Sequence, residues 1–170
     1  MVALKDYFNF ATGKLDSNAA VPDGKYPFFT CSRDDFQIDT FAFDCEALLL
    51  AGNNANADYS VKHFKGKFNA YQRTYVITLQ DSENLYIYAR ISLQNKLAEL
   101  KRISKGTGTK YLTLQLLNRI TVPSPPPNLQ RQFEGKVNAV ESQMQGFIES
   151  QNELDQLFAS LQHRAFRGEL

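Results

Sequence analysis

The sequence predicts an α+β protein: a globular domain with a mixed sheet and short helices, followed by one long C-terminal coiled-coil helix. Three observations lead to this class. Apolar runs of strand length come first and helical spacing comes later, without the strand–helix alternation of a doubly wound sheet. A proline-rich segment, residues 123–127, separates two parts of different pattern. Beyond it, apolar residues recur with the 3.5-residue period of a coiled coil.

The first half of the chain is assigned mainly to strands. Residues 4–10 fit either a short helix or a strand, and residues 12–24 have the Asn, Asp, Gly and Ser content of a loop. Apolar runs bounded by turn residues predict strands at 25–30, 47–51, 59–64, 67–71 and 73–79. The third and fourth of these strands are expected to form a hairpin with a basic tip at Lys65-Gly66.

Helical spacing begins after Ser82, a candidate N-cap. The apolar residues at helical intervals, up to about Lys101, are Leu85, Ala89, Leu93, Leu97 and Leu100. Residues 105–110 form an exposed basic loop, which lacks the pattern of a nucleotide phosphate loop because Tyr111 stands where Ser or Thr is required. An apolar turn or short helix at 112–117 and a last strand at 120–122 complete the domain.

The proline-rich segment marks the predicted domain boundary. Residues 1–124 form the globular domain, and residues 125–170 form a proline hinge and a long spacer or dimerisation helix. Asn128 is the expected N-cap of this helix. Gly135 and Gly146 each cost roughly 1 kcal/mol inside a helix, so bending or close approach is expected there.

The long helix carries an apolar seam at successive d and a positions of a heptad. Its members are Phe133, Val137, Val140, Met144, Phe147, Gln151, Leu154, Phe158, Leu161 and Ala165. A helix about 58 Å long, at ~1.5 Å per residue, is too long to pack wholly on the preceding domain. A second helix is therefore favoured over packing on the chain's own domain. Gln151 is either a tolerated polar residue or one that fixes register and partner number.

Composition narrows the function classes. At 170 residues and 43% hydrophobic content, the chain suits one globular domain with an appendage. It has no signal-like segment and no membrane-spanning apolar run, so neither secretion nor membrane insertion is expected. Cys31 and Cys45 fit reduced core residues of a cytoplasmic protein. His63 and His163 lack partners at metal-ligand spacing, and no catalytic motif is present, which favours a binding protein without a metal over an enzyme.

Charged residues are segregated along the chain although the net charge is only +1. Every charged residue between Tyr59 and Leu79 is basic, and so is every one between Glu99 and Glu134. Such segregation permits a basic face without a high overall pI. It fits either nucleic-acid binding or an ordinary solvated surface.

A family resemblance is carried by residues 25–29, 47–52, 106–108, 112–114, 120–123, 130–133 and 157–170. The glycine loop, the prolines and the glutamine that follows them are similar to the end of a target recognition domain. The last of these segments is similar to the ending of many specificity subunits of type I restriction–modification systems. The resemblance to this family covers nearly the whole chain.

The resemblance implies that residues 1–124 are a target recognition domain, which recognises one half of a split site in double-stranded DNA. It also implies that the helix docks methyltransferase subunits, which bind S-adenosylmethionine, and that a restriction subunit can join the complex. Members of the family usually contain two recognition domains and two helices, so this chain resembles a half-subunit, and a homodimer through the helices is expected. The alternative is a coiled-coil adaptor or regulatory half-subunit that binds methyltransferase subunits without recognising DNA.

The residues expected to contact DNA follow from side-chain chemistry. Arg suits guanine, Asn and Gln suit adenine, and Lys suits phosphate. The main candidates are Lys62, His63, Lys65, Lys67, Asn69, Tyr71, Gln72 and Arg73, and the second set is Lys105, Thr107 and Lys110. Arg33, Asn53 and Asn54 are weaker candidates, since loop asparagines are commonly turn residues. An ordinary exposed hairpin remains the alternative for the main set.

Overall fold

The computed structural model describes residues 1–169 and divides into two compact units, Met1–Gln130 and the residues from Arg131 onward. This division falls further along the chain than the predicted boundary after residue 124. The difference arises because Gln130 is buried and hydrogen-bonded within the first unit. Residue 170, the end of the predicted second domain, lies outside the described residues.

The elements follow one another without a regular alternation of strand and helix. The strands are β1 Val2–Ala3, β2 Phe8–Thr12, β3 Tyr26–Phe29, β4 Phe36–Ile38, β5 Phe43–Ala51, β6 Asn53–Asn54, β7 Val61–Ala70, β8 Thr74–Leu79, β9 Lys110–Tyr111 and β10 Thr121–Val122. The helices are α1 Leu4–Tyr7, α2 Tyr86–Gln94, α3 Leu97–Ile103, α4 Leu114–Leu117 and α5 Pro127–Phe166, and a short 3-10 turn spans Ser17–Ala19.

The main sheet is mixed, with the strand order β2-β8-β5-β7-β3-β4. β3 runs parallel to β7, and the other neighbours in the sheet are antiparallel. A backbone bridge between Leu15 and Tyr71 brings the chain after β2 to the end of β7. Gly13 permits this approach, because a Cβ there would collide with the Ala70 carbonyl. The α+β fold with a mixed sheet and a long C-terminal helix is confirmed.

β5 lies at the centre of the core because both of its faces are buried. On one face, Leu48 and Leu50 pack in a cluster that includes Leu93 of α2. On the other face, Leu49 packs in a cluster that includes Phe68 of β7. Burying each such side chain contributes about 1.5–3 kcal/mol, and this two-sided burial explains why β5 is a nearly continuous apolar run.

The predicted hairpin about Lys65-Gly66 is wrong. β7 is one continuous strand, antiparallel to β5, in which Gly66 pairs with Cys45. Gly66 has a φ of +132°, which favours glycine, so this residue permits an irregular strand geometry instead of a turn. The long partner strand β5 provides hydrogen bonds on both sides of Gly66, which is why the strand continues through it.

The single helix predicted for residues 82–101 is also wrong, because α2 and α3 are separate helices. They are divided at Asn95 and Lys96, where the Lys96 N–H donates to the Leu93 carbonyl in a tight three-residue turn. Leu85, not Ser82, is the N-cap residue of α2. Residues 4–10, left open between helix and strand, contain both, as α1 and the start of β2.

α5 contains 40 residues, about 60 Å of helix at ~1.5 Å per residue. It begins at Pro127, one residue before the expected N-cap Asn128. Proline is accepted there because its missing N–H would have no partner in the first helical turn. Within residues 1–169, no helix combines the length and the apolar character needed to cross a membrane.

Candidate nucleic-acid interface

Three of the four side chains of the basic strand, defined as Lys62, His63, Lys65 and Lys67 of β7, contact a carboxylate. Side chains alternate between the two faces of a strand, so His63, Lys65 and Lys67 share the more exposed face while Lys62 lies on the other. An acidic group or an aromatic ring lies against each of these four side chains. The contacts come from β5 and from residues 33–41, which precede β5 in the chain.

Glu46 of β5 holds two of these side chains. It lies directly opposite Lys65 in the β5–β7 register, and its carboxylate oxygens are 3.0 Å from Lys65 Nζ and 3.0 Å from His63 Nε2. Burial raises the pKa of Glu46, but the hydrogen bonds with Lys65 and His63 outweigh burial, so this pKa lies below its usual value. The His63 ring also stacks on Tyr86 of α2, with 5.6 Å between ring centroids.

Lys62 is held more completely. Its ammonium group donates to the carbonyls of Arg33 and Asp34 at 2.9 and 3.2 Å, and it lies 3.1 Å from the Asp35 carboxylate. The Arg33 guanidinium is itself 2.7 Å from Asp58. Lys67 Nζ lies 4.7 Å from the centre of the Phe41 ring, a cation–π contact that leaves the positive charge unneutralised.

Two residues at the end of β7 have structural roles. Asn69 is only 4% exposed; its amide donates to the Thr40 carbonyl at 3.4 Å and accepts from the Ala70 N–H at 2.9 Å. The structure therefore places Asn69 in the protein interior, where the sequence predicted a contact with DNA. The Tyr71 N–H donates to the Phe29 carbonyl, which joins this end of β7 to β3.

The residues after Tyr71 turn back towards β8 and expose two polar side chains. Gln72 donates to the Asp16 carboxylate at 3.4 Å. The Arg73 side chain is exposed, and among residues 1–169 its guanidinium has no hydrogen bond or ion pair. Arg73 therefore differs from Arg33, which is paired with an acid.

Backbone hydrogen bonds through Gly52 connect Arg73 to Leu112, which follows the loop at 105–110. The Gly52 N–H donates to the Arg73 carbonyl at 2.8 Å, and the Gly52 carbonyl accepts from the Leu112 N–H at 2.8 Å. A Cβ at Gly52 would collide with the Arg73 carbonyl, so the approach requires glycine. β6 pairs with β9 next to this point, with Asn53 opposite Tyr111.

The loop at 105–110 is closed by reciprocal hydrogen bonds between the backbones of Lys105 and Tyr111, at 3.1 and 2.8 Å. Gly106, with a φ of +106°, allows the tight turn, and Lys105 and Thr107 are exposed at it. Neither Lys105 nor Lys110 has an acidic partner within the described residues. We call Arg73, Lys105, Thr107 and Lys110 the turn–loop surface.

A cavity of about 240 Å³ lies beside Arg73, lined in part by Asn53, Gln72, Arg73 and Tyr111. The sequence placed Gln72 and Arg73 in the main candidate set and Asn53 among the weaker candidates, and the structure brings these three residues together. Tyr111 was not predicted, although it directly follows Lys110 and is 41% exposed, which is high for an aromatic residue. The cavity lining therefore brings together one cation without an acidic partner, two side-chain amides and an aromatic ring.

The second unit presents a different kind of surface. The helical seam members from Val140 onward are exposed in this single chain; for example, Phe147 is 75% exposed, Leu154 65% and Phe158 60%. Large apolar side chains at this exposure are typical of surfaces that another chain covers. Among residues 1–169, no group of three or more His, Cys, Asp and Glu residues is arranged to hold a metal ion.

The chain combines a mixed-sheet unit that carries cations without acidic partners with a long helix that carries exposed apolar side chains. Residues 1–156 match the family model described as the type I restriction modification DNA specificity domain. Because this match covers most of the chain, the protein belongs to that family.

The chain is 39% identical over 146 residues to the type I restriction enzyme EcoDI specificity subunit of Escherichia coli. The alignment covers 85% of this chain and 31% of that relative, so the chain spans about a third of the relative's length.

Two solved structures have a similar fold. The S subunit of a type I restriction-modification system from M. genitalium matches with a TM-score of 0.71 and 16% identity, over 85% of this chain and 39% of that one. The HsdS subunit from Thermoanaerobacter tengcongensis matches with a TM-score of 0.61 and 19% identity, over 99% of this chain and 45% of that one.

Proposed function

We propose that this protein is a non-catalytic DNA-specificity subunit that recognises one half of a bipartite site for a type I restriction–modification complex. Family membership and the 39% identity to the EcoDI specificity subunit support this function. The observation that carries the assignment of the surface is that Arg73, which lines a cavity with Gln72 and Tyr111, and the loop residues Lys105 and Lys110 have no acidic partner among residues 1–169.

The turn–loop surface suits a duplex for two reasons. Free lysine and arginine side chains release counterions when they neutralise phosphates, which is the main source of affinity for DNA. Arg73 can also donate two parallel hydrogen bonds to a guanine edge, a contact that contributes about 1–3 kcal/mol of discrimination. Lys105, Thr107 and Lys110 are assigned to the phosphates beside it, and the main candidate set is thereby moved from β7 to the turn that follows it.

The remaining members of the original sets have weaker roles in this proposal. Lys62 and Arg33 contact acids, and reaching a phosphate would require breaking those contacts. His63 and Lys65 share Glu46, and Gln72 contacts Asp16. Lys67 retains its positive charge and is the member of the basic strand best able to contact a phosphate.

The assembly proposed here involves the helix. A second copy of the chain covers the seam from Phe133 to Ala165, and the paired helices dock methyltransferase subunits, which bind S-adenosylmethionine. A restriction subunit accompanies the complex in its nuclease form, and the assembly works in the cytoplasm, where its DNA is. Two recognition units joined by paired helices recognise a symmetric interrupted site, and each binding event makes the other intramolecular.

DNA recognition is tested with the chain assembled with its methyltransferase subunits. Sequencing of methylated bases in cells that express the complex is expected to reveal one bipartite motif. Selection from a randomised duplex pool is expected to enrich the same motif. No enriched sequence would favour the alternative, an adaptor that binds methyltransferase subunits without recognising DNA.

Pairing through the helix is tested on the purified chain by light scattering. Leu154→Glu with Phe158→Glu is expected to convert a dimer to a monomer, because charges would be buried in the seam. The matched control, Gln156→Glu with Ser160→Glu, places the same charges on the opposite face of α5 and is expected to leave the dimer intact. A dimer that survives the seam substitutions would show that the interface lies elsewhere.

A further inference from the structure

Gln130 has an environment unlike that of any other glutamine among residues 1–169. It lies in the first turns of α5, and its side chain is 0% exposed. Its carbonyl accepts from the Leu85 N–H at 3.0 Å. Its amide group donates to Asn84 Oδ1 at 2.6 Å and to the Pro125 carbonyl at 2.9 Å.

These three hydrogen bonds connect the start of α5 to the start of α2. Leu85 is the N-cap residue of α2, and its own side chain makes no capping hydrogen bond. Pro125 belongs to the proline-rich segment before α5, so Gln130 also fixes the chain just before its own helix. All of the partners lie in the globular unit, which ends at Gln130.

The set of partners requires glutamine. One backbone N–H needs an acceptor, and two oxygens need donors, which matches one carbonyl and one NH₂ group. A glutamate would supply no donor, a methionine would fill the space without any hydrogen bond, and an asparagine would be one methylene too short. A buried polar group that loses its hydrogen-bond partner costs free energy. The hydrogen bonds of Gln130 therefore favour one position of the start of α5 over slightly shifted positions.

We propose that Gln130 is a positioning residue that locks the first turns of α5 to the globular unit, and that discrimination between half-site spacings depends on this lock. The inference rests on the proposed function, since it concerns a bipartite site. A continuous helix transmits the orientation of its first turns along its length. A loosened start would let each recognition unit swing, and DNA sites with a wrong gap would then be accepted.

The lock itself is tested on the full chain without DNA, by hydrogen exchange. Gln130→Met is expected to speed exchange of the Leu85 amide and of the amides of residues 131–134 by at least tenfold. The matched control is Gln132→Met, an exposed residue of the same helix, which is expected to leave these rates within about twofold. Unchanged exchange in Gln130→Met would overturn the lock.

Discrimination between half-site spacings is tested with the complex assembled with methyltransferase subunits. The DNA duplexes carry the two half-sites at their native separation, called the native gap, or at a separation one base pair longer or shorter. The wild-type preference for the native gap is expected to be at least tenfold, and Gln130→Met is expected to lower it below threefold. Discrimination against a substituted half-site base is expected to persist. A retained tenfold gap preference in Gln130→Met would overturn the inference.

Two further variants separate positioning from stability. Leu93→Ala removes core packing away from the junction and is expected to lower stability without changing the gap preference. If Gln130→Met does not fold, Asn84→Ala removes one partner only and is expected to give a smaller loss of gap preference; no loss would overturn the inference. A wild-type complex that binds no specific sequence would contradict the proposed function, while the exchange result would still decide the lock.

Discussion

The basic strand and the turn–loop surface both contain basic side chains, but in different electrostatic settings. In the basic strand, Lys62 contacts Asp35, and His63 and Lys65 share Glu46. On the turn–loop surface, Arg73, Lys105 and Lys110 have no acidic partner among residues 1–169. The comparison shows that a run of basic residues does not identify a phosphate-binding surface until the acids across the sheet are known.

The physical reason is that a paired cation gives up a favourable contact before it can meet a phosphate. An exposed ion pair is itself worth only about 0–1 kcal/mol, but its carboxylate also repels DNA from the same place. A free lysine has neither disadvantage. The two surfaces should therefore contribute differently to the salt dependence of binding, which counts the phosphates that a protein neutralises.

The largest expected effect is that of Lys105→Ala with Lys110→Ala. Loss of two phosphate contacts should reduce the steepness of log K, where K is the association constant for DNA, against log salt concentration by roughly 1.8. This change corresponds to about 60-fold weaker binding at ~0.1 M salt. The matched control, Lys65→Ala with Lys67→Ala, removes the same charge from the basic strand and should change the slope by less than about 1. Equal effects of the two variants, measured by fluorescence anisotropy across a salt series, would contradict the distinction between the surfaces.

Arg73→Ala should have an effect of comparable size that depends on the DNA sequence. Removal of a bidentate base contact is expected to cost about 1–3 kcal/mol and to relax the preference at a single position of the site. The measurement is enrichment from a randomised pool, compared position by position with the wild type. Lys96→Ala, which removes a cation paired with Glu99, is the control and should leave every position unchanged. Uniform weakening by Arg73→Ala would instead assign the guanidinium to a phosphate.

The core strands could be predicted from the sequence, but the contacts between the basic side chains and the acids on neighbouring segments could not. Apolar runs located β3, β5 and β8 because each of them buries side chains that the pattern displays directly. Gly66 was misinterpreted as a turn residue, since only the register with β5 shows that the strand continues through it. The contacts of Glu46 depend on the same register, so no local pattern could have predicted them.

The structural role of Gln130 could not be predicted from the sequence for a different reason. Glutamine is usually exposed, and although the family resemblance includes this residue, the resemblance does not indicate that its side chain is fully buried. Its three partners lie in two separate segments of the chain, residues 84–85 and residue 125, which helical periodicity cannot bring together. The turn–loop surface was missed as a unit for a similar reason, because it depends on hydrogen bonds made by Gly52.

Glu46→Gln tests the basic strand by removing its acid, because glutamine has nearly the same shape as glutamate but carries no charge. Lys65 and His63 would lose their carboxylate partner, and the basic strand would come to resemble the turn–loop surface. The slope of log K against log salt concentration is expected to become steeper by up to about 1, with the sequence preference unchanged. An unchanged slope would show that this face of β7 does not approach DNA at all.

The smallest expected effect is on stability, and it follows from the pKa of Glu46. Burial raises this pKa, but the hydrogen bonds with Lys65 and His63 lower it by a larger amount. In the folded chain the pKa of Glu46 therefore lies below the ordinary value of 4.5. A depressed carboxyl pKa means that the ionised form favours folding. Its contribution is complete above about pH 4.5 and is lost as the pH falls through the folded value. Denaturant unfolding of the wild type and of Glu46→Gln should therefore differ most at neutral pH and converge in acid; a difference that is constant with pH would mean that Glu46 acts through packing and not through its charge.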